Sequence, residues 1–406
     1  MTTLLHSARP TRSLNDHPVL GHLPASALAD GANTVWVLLD ETGLPIRGGL
    51  NDTFHGTEQA LTAERWVDAS GLRLALPFTD IHCHGGGGFS YEDPGCLPRA
   101  LEVHGEHGTG RAVASLVANP IPDLEASCRR LAEAIDARDV VPDGMRLEGI
   151  HAEGPWISPS HKGAHRPDYL HPASVEEARR LVDACGGHLR QVTLAPEEDP
   201  GLAVTRYLVD RGVRVAVGHT DADYHTARAA FDAGASVLTH AFNAMNGIHH
   251  RRPGPVVAAM ESSHVYLEVI ADGVHVAPEV VSMLFRSAPE RVILVTDAMS
   301  ATGQPDGDYR LGSLDVRVEA GVARLVTADG SQGAIAGSTL TVDQAVRTAV
   351  AAGIDPDEAI IAATSRPARA LGLNPCDEAL PLRLLDADFS PVADLSPRTS
   401  SRRPRP

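Results

Sequence analysis

The 406-residue chain is most informative at first through what it lacks. No run of 18 apolar residues occurs, which excludes a membrane-spanning helix. The first eighteen residues contain no apolar signal core. The five cysteines (Cys83, Cys96, Cys128, Cys185 and Cys376) are odd in number, scattered and free of any C-x-x-C pair. That argues against a disulfide framework and against a thiolate zinc site, and it points to the reducing cytoplasm. Aromatic residues are scarce at 4%, yet 43% hydrophobic residues supply a sizeable core. Positive charge is short: 35 Lys and Arg stand against 52 Asp and Glu, a net charge of −17. Such a surface repels nucleic acid and anionic membranes, so neither is an expected partner. A small anionic substrate remains allowed if a local cationic pocket receives it. Histidine, by contrast, is abundant at 20 residues. Any bound metal must therefore be held by histidine and carboxylate.

Residues 1–30 show no clear periodicity and read as a loose arm. Short β-like pieces follow over 33–67, and the Ser/Arg/Pro-rich stretch 396–406 reads as disordered. Between these ends, eight short apolar runs alternate with helical patterns. They cover 72–81, 111–118, 145–151, 189–194, 213–217, 235–239, 265–270 and 291–296. The helical pattern over 122–138 puts Leu124, Cys128, Leu131, Ala132 and Ile135 on one stripe. This alternation predicts an α/β fold with a parallel sheet and helical crossovers, and eight units predict a (β/α)8 barrel. The expected division is 1–76 as arm and small β domain, 77–373 as barrel, and 374–406 as an atypical tail.

A barrel of this kind carries its chemistry at the C-terminal ends of its strands. There the predicted strands end in metal-ligand residue types. His82 and His84 follow the first, Glu153 the third, Glu197 the fourth, His219 the fifth, His240 the sixth, Asp272 the seventh and Asp297 the eighth. His82 and His84, two apart on a strand, face the same way. Each residue alone reads as ordinary; the repetition does not. Glu153, His219 and His240 together form a His2Glu set, a known catalytic zinc arrangement. Asp297, buried beside a cation, is placed to accept a proton from water and return it later. Residues 249–252 (HHRR) make a cationic island suited to a phosphate monoester, with Asn243 just upstream.

The motifs FTDIHCHGGGG (78–88), HAEGPWISP (151–159), KGAH (162–165), TLAPE (193–197), GHTD (218–221), THAFNAM (239–245), ADGVH (271–275), LVTDA (294–298) and AGSTL (336–340) follow in order. With them the chain resembles the N-acetylglucosamine-6-phosphate deacetylases of the amidohydrolase superfamily, over about three quarters of its length. The resemblance implies a metal-dependent hydrolase barrel with a small β-sandwich-like domain, built from the N-terminal region with or without the C-terminal tail. It implies hydrolysis of the acetamide of N-acetylglucosamine 6-phosphate to glucosamine 6-phosphate and acetate. One or two divalent metal ions per chain are implied, zinc first, with iron, manganese or cobalt as alternatives. Glu153, His219 and His240 would hold the main ion, His82 and His84 a second, and Asp297 would be the general base and acid. Ala164, His165, Asn243, Ala244, Arg251, His275, Ile335, Ala336 and Gly337 match substrate-contacting positions. Arg251 would meet the phosphate, in family members often across a homodimer interface.

Two departures stand out. The first barrel strand opens Leu76-Pro77-Phe78 without the family's usual glycine, and residues 376–385 match the family's last strand poorly. An incomplete or rearranged small domain is therefore expected. Three rival readings remain: the same reaction on N-acetylgalactosamine 6-phosphate, a cyclic amidohydrolase or deaminase acting on a neutral ring, and a catalytically impaired sugar-phosphate-binding homologue.

Overall fold

The computed structural model describes residues 2–15, 17–20, 22–24, 26, 32–58, 62–137, 145–327, 330–377 and 379–392. The stretch 396–406, expected to be disordered, lies outside these residues. Among the described residues no helix is long and apolar enough to cross a membrane.

Eight parallel strands form the central sheet, in chain order around a nearly closed barrel. They are β1 (Phe78–Cys83), β2 (Thr109–Leu116), β3 (Arg146–Glu153), β4 (Leu189–Leu194), β5 (Arg214–Val217), β6 (Val237–Leu238), β7 (Tyr266–Ile270) and β8 (Val292–Val295). Each matches one of the predicted runs. The reason is burial on both faces: all residues of β1, β2 and β8 are buried, so the strands read as mostly apolar or small-residue runs. The last and first strands meet at the mouth, where Asp297 N–H donates to His82 O (2.8 Å) and His84 N–H to Ala298 O (2.7 Å). The crossover helix Ile121–Ala137 buries Leu124, Cys128, Leu131 and Ala132 as its stripe predicts. Full burial is worth about 1.5–3 kcal/mol for a leucine side chain.

Three corrections concern the flanks. The first residues are no loose arm: Thr3–Pro10 is a strand at the heart of a second, six-stranded sheet. Its alternation is hidden by an irregularity between Leu5 and Ala8, where Ser7 takes φ 63°. The predicted run 72–81 is two strands in two sheets. Arg73–Ala75 pairs with Thr3–Pro10, while β1 begins only after Pro77, which has no N–H to donate. The small sheet is also not left incomplete. Arg383–Leu385 pairs antiparallel with Arg73–Ala75, and Cys376 and Leu384 join Leu5, Val35, Val37 and Leu74 in its core. In Val35–Leu39 the even residues Trp36 and Leu38 face a separate cluster with Leu4 and Phe54, so this strand too is buried on both sides.

One element has no counterpart among the predicted ones. After β8 the chain forms a four-stranded antiparallel sheet of Gly307–Leu311, Leu314–Glu319, Val322–Val326 and Gln332–Ile335. Val316 and Val318 pack inward on Met299 and Ala336, while Asp315, Arg317 and Glu319 face solvent. This sheet ends at the barrel mouth.

Candidate active site

Five strand ends converge there, the first being that of β1 with His82 and His84. Glu153 is the last residue of β3, and His219, His240 and Asp297 each stand two residues beyond β5, β6 and β8. His219, His240 and Asp297 all have left-handed backbones, with φ of 47°, 26° and 49°. Such conformations cost on the order of 1–3 kcal/mol each for non-glycine residues and persist only where the surroundings impose them. Ser158 N–H donating to His219 O (2.8 Å), Ala241 N–H to Glu268 O (2.7 Å) and Ser338 N–H to Asp297 O (2.7 Å) hold these turns. The turn after each short strand thus swings its side chain over the barrel axis.

Two ligand-type groups result, and both use Glu153. In one, Glu153 Oε1 lies 3.1 Å from both His219 Nε2 and His240 Nε2, which are 3.1 Å from each other. In the other, His84 Nε2 is 3.1 Å from Glu153 Oε2 and 3.3 Å from Asp297 Oδ1, and His82 Nε2 is 3.4 Å from Glu153 Oε1. All of these side chains are buried.

This crowding fits a divalent cation. His219 donates its Nδ1 proton to His161 O (2.9 Å) and His82 donates its own to Glu268 Oε2 (3.0 Å). When neutral, both rings then present a bare Nε2 to a carboxylate. Facing lone pairs at such distances repel unless positive charge lies among them. In a tetrahedral zinc site, with ligands about 2.0–2.2 Å from the ion, neighbouring ligand atoms stand roughly 3.4 Å apart. The electrostatics agree. Burial disfavours a charged His82 or His84, yet the surrounding carboxylates outweigh it, holding His82 well above its usual pKa and raising His84 to about 9. Burial likewise works against a charged Asp297, but His82 and His84 hold it down to about 2. The cluster is built to receive positive charge.

Above it opens a cavity of about 350 Å³. Of the predicted substrate contacts, Ala164, His165, Asn243, Ala244, His275, Ile335 and Gly337 line it, together with His219, His240 and Asp297. Ala118 N–H donates to His165 Nδ1 (3.1 Å), so the neutral ring carries its proton on Nε2; burial lowers this pKa to about 4. His275 donates from Nδ1 to Asp272 Oδ2 (2.7 Å), which fixes the ring. Ala336 differs: its side chain is buried with Met299 and Leu311 beneath the added sheet. Arg251 differs most. It is exposed and outside the cavity, and among the described residues no Lys or Arg lines that cavity. Glu197 is also away from the cluster; it accepts from Thr220 Oγ1 (2.6 Å) and so steadies the turn after His219.

Sequence reasoning missed Glu268 and Gln191 behind the cluster. The signal was present as a lone acid inside the apolar strand β7. A third group, Asp80, Cys83 and His104, lies beneath the mouth. It is tied by its own contacts: Cys83 Sγ lies 3.2 Å from Tyr91 Oη and 3.3 Å from His104 Nε2. Burial raises the Cys83 thiol to about 12, so it is no thiolate ligand.

A barrel whose strand ends hold two such groups around one shared carboxylate defines a class of metal-dependent hydrolases. The sequence profile of the amidohydrolase family matches residues 78–375, and the chain belongs to that family. The N-acetylgalactosamine-6-phosphate deacetylase of Escherichia coli O157:H7 is 37% identical over 340 residues, covering 77% of this chain and 88% of that protein. The N-acetylglucosamine-6-phosphate deacetylase of Vibrio furnissii is 35% identical over 297 residues, 72% of each chain. Among solved structures, a variant of the Mycobacterium smegmatis N-acetyl-D-glucosamine-6-phosphate deacetylase in complex with N-acetyl-D-glucosamine-6-phosphate superposes with TM-score 0.82. It is 38% identical and covers 96% of each chain.

Proposed function

We propose that the chain hydrolyses the acetamide of N-acetyl-D-glucosamine 6-phosphate to D-glucosamine 6-phosphate and acetate. The carrying observation is Glu153, shared between two imidazole groups, with Asp297 beside them at the floor of a cavity that His165, Asn243 and His275 also line. Glu153, His219 and His240 hold one divalent ion; His82, His84, Glu153 and Asp297 hold a second. Zinc suits these nitrogen and oxygen donors, with iron, manganese or cobalt as alternatives. A divalent cation held by these residues would acidify water and stabilise charge on the carbonyl oxygen. Asp297 takes the proton from the attacking water and delivers it to the departing nitrogen, so the C–N bond breaks to a neutral amine. His165, fixed as an Nε2–H donor, and His275, fixed by Asp272, orient the acetamide and the sugar. The five unpaired cysteines support a cytoplasmic location.

The test is acetate release from this substrate before and after chelation, with metal per chain measured alongside. The same assay on N-acetylgalactosamine 6-phosphate tests the second reading, which the E. coli relative favours. The sugars differ at one hydroxyl, so the ratio of kcat/KM decides. No acetate from either sugar would sink both.

We also infer a homodimer. Among the described residues no Lys or Arg lines the cavity to meet the phosphate, while Arg251 lies exposed in a loop beside exposed Ile248. A second copy supplies Arg251. Equal mixing of the inactive chains Asp297→Asn and Arg251→Ala, with subunit exchange, should restore about a quarter of wild-type activity. Half of the dimers are then mixed, and one of their two sites is whole. No recovery after demonstrated exchange would show that Arg251 acts within its own chain or not at all.

Gly163 offers a third test. It has φ +52°, and a Cβ there would stand 2.9 Å from His219 Cε1. Gly163→Ala should push the His219 ring off its bond to His161 O and weaken metal binding about 10–100-fold. A metal titration equal to wild type would remove His219 from the ligand set.

A further inference from the structure

Glu268 has no place in the scheme so far, yet it is a carboxylate with no exposure at all, inside strand β7. Burying such a group without compensating charge is expensive. Among the described residues no Lys or Arg pairs with it; its ion-pair partner is His82. Its oxygens accept from His82 Nδ1 (3.0 Å), the His240 backbone N–H (3.3 Å) and Gln191 Nε2 (2.9 Å). Gln191 is itself fully buried, with its Oε1 unpartnered.

The four imidazoles of the cluster are not supported alike. His219 leans on a neutral carbonyl, His161 O. The Nδ1 atoms of His84 and His240 have no hydrogen-bond partner. Only His82 has a carboxylate behind it. A carboxylate on the far nitrogen fixes the tautomer and raises the basicity of the ligating one. That support of a ligand ring goes to the His82, His84, Glu153 and Asp297 group; in the Glu153, His219 and His240 group Glu268 meets only the His240 backbone N–H.

Resting on the two-ion reading above, we propose that Glu268 is a positioning residue that decides whether the second cation is held. It keeps the proton of neutral His82 on Nδ1, presents Nε2 bare, and places one extra negative charge directly behind that ring. Gln191 holds the far oxygen of Glu268 so that this charge cannot rotate away.

The experiment is a cobalt titration of metal-free full-length chains, read by visible absorption and by metal content after buffer exchange. Wild type, Glu268→Gln and His82→Ala are compared. The Gln variant is accommodated because Gln191 can turn its unpartnered Oε1 toward the new amide. Wild type is expected to take two ions. Glu268→Gln should keep the first at wild-type affinity and bind the second about 10–100-fold more weakly, with excess cobalt restoring it; His82→Ala should lose the second. Two ions at wild-type affinity in Glu268→Gln, with one lost in His82→Ala, would overturn the role of Glu268 alone. One ion in wild type, unchanged by His82→Ala, would remove the second position and this inference with it. Equal loss of both ions in Glu268→Gln would overturn its selectivity. If that variant yields no folded protein, nitrogen-15 shifts of histidine in metal-free wild type decide. Measured at a pH where the His82 ring is neutral, its remaining proton is expected on Nδ1, and a proton on Nε2 alone overturns the proposal.

Discussion

Asp297→Asn is expected to lower kcat for acetate release about 10²–10⁴-fold at saturating metal, with KM little changed. That range is what a positioned proton carrier contributes. The substitution keeps the size of the side chain and an oxygen able to face His84, 3.3 Å from Oδ1 in the wild type. It removes the capacity to take a proton from water and return it to nitrogen, and with it one negative charge of the second ligand group. The left-handed turn at 297 should survive, because asparagine tolerates φ near +49° better than most residues. Metal content must therefore be measured with the rate. A wild-type rate at wild-type metal content would show that another group carries the proton.

Glu153→Ala should have a larger effect, because both ligand groups lose their common member. His219, His240, His82 and His84 all lie within 3.1–3.4 Å of a Glu153 oxygen. Without it His219 and His240 have no carboxylate between them, and His82 and His84 keep only Asp297. Metal content should approach zero, and kcat/KM should fall by several kcal/mol of transition-state stabilisation, on the order of 10⁴-fold or more. The metal-free variant should still fold. Val192, Leu194, Val217 and Leu238 around the site are fully buried and do not depend on it. Retention of both ions in Glu153→Ala would dismiss the shared-carboxylate arrangement. Unchanged activity after complete metal loss would dismiss the metal mechanism itself.

Legibility from sequence followed the physics of each element. Barrel strands buried on both faces produce short, mostly apolar runs, so all eight were visible. The stripe on Ile121–Ala137 was visible because one face of that helix is buried. The added sheet was not foreseen: its strands are four to six residues long and solvent-exposed on one side, as in Leu314–Glu319. Thr3–Pro10 was misread because its irregularity at Ser7 breaks the alternation. The link at 76–77 was hidden because apolar residues flank it on both sides.

By itself the sequence determined the ligand types, their order along the chain and their place after apolar strands. It also determined that a phosphate would need a local cation in a chain of net charge −17. The tertiary structure alone decided that Glu153 faces two groups at once. It alone set Glu268 behind His82 across 186 positions of sequence, and left Arg251 outside the cavity of its own chain. The reason is closure of the barrel. Which inward side chains meet depends on how eight strands curve around one axis, and no local periodicity records that curvature.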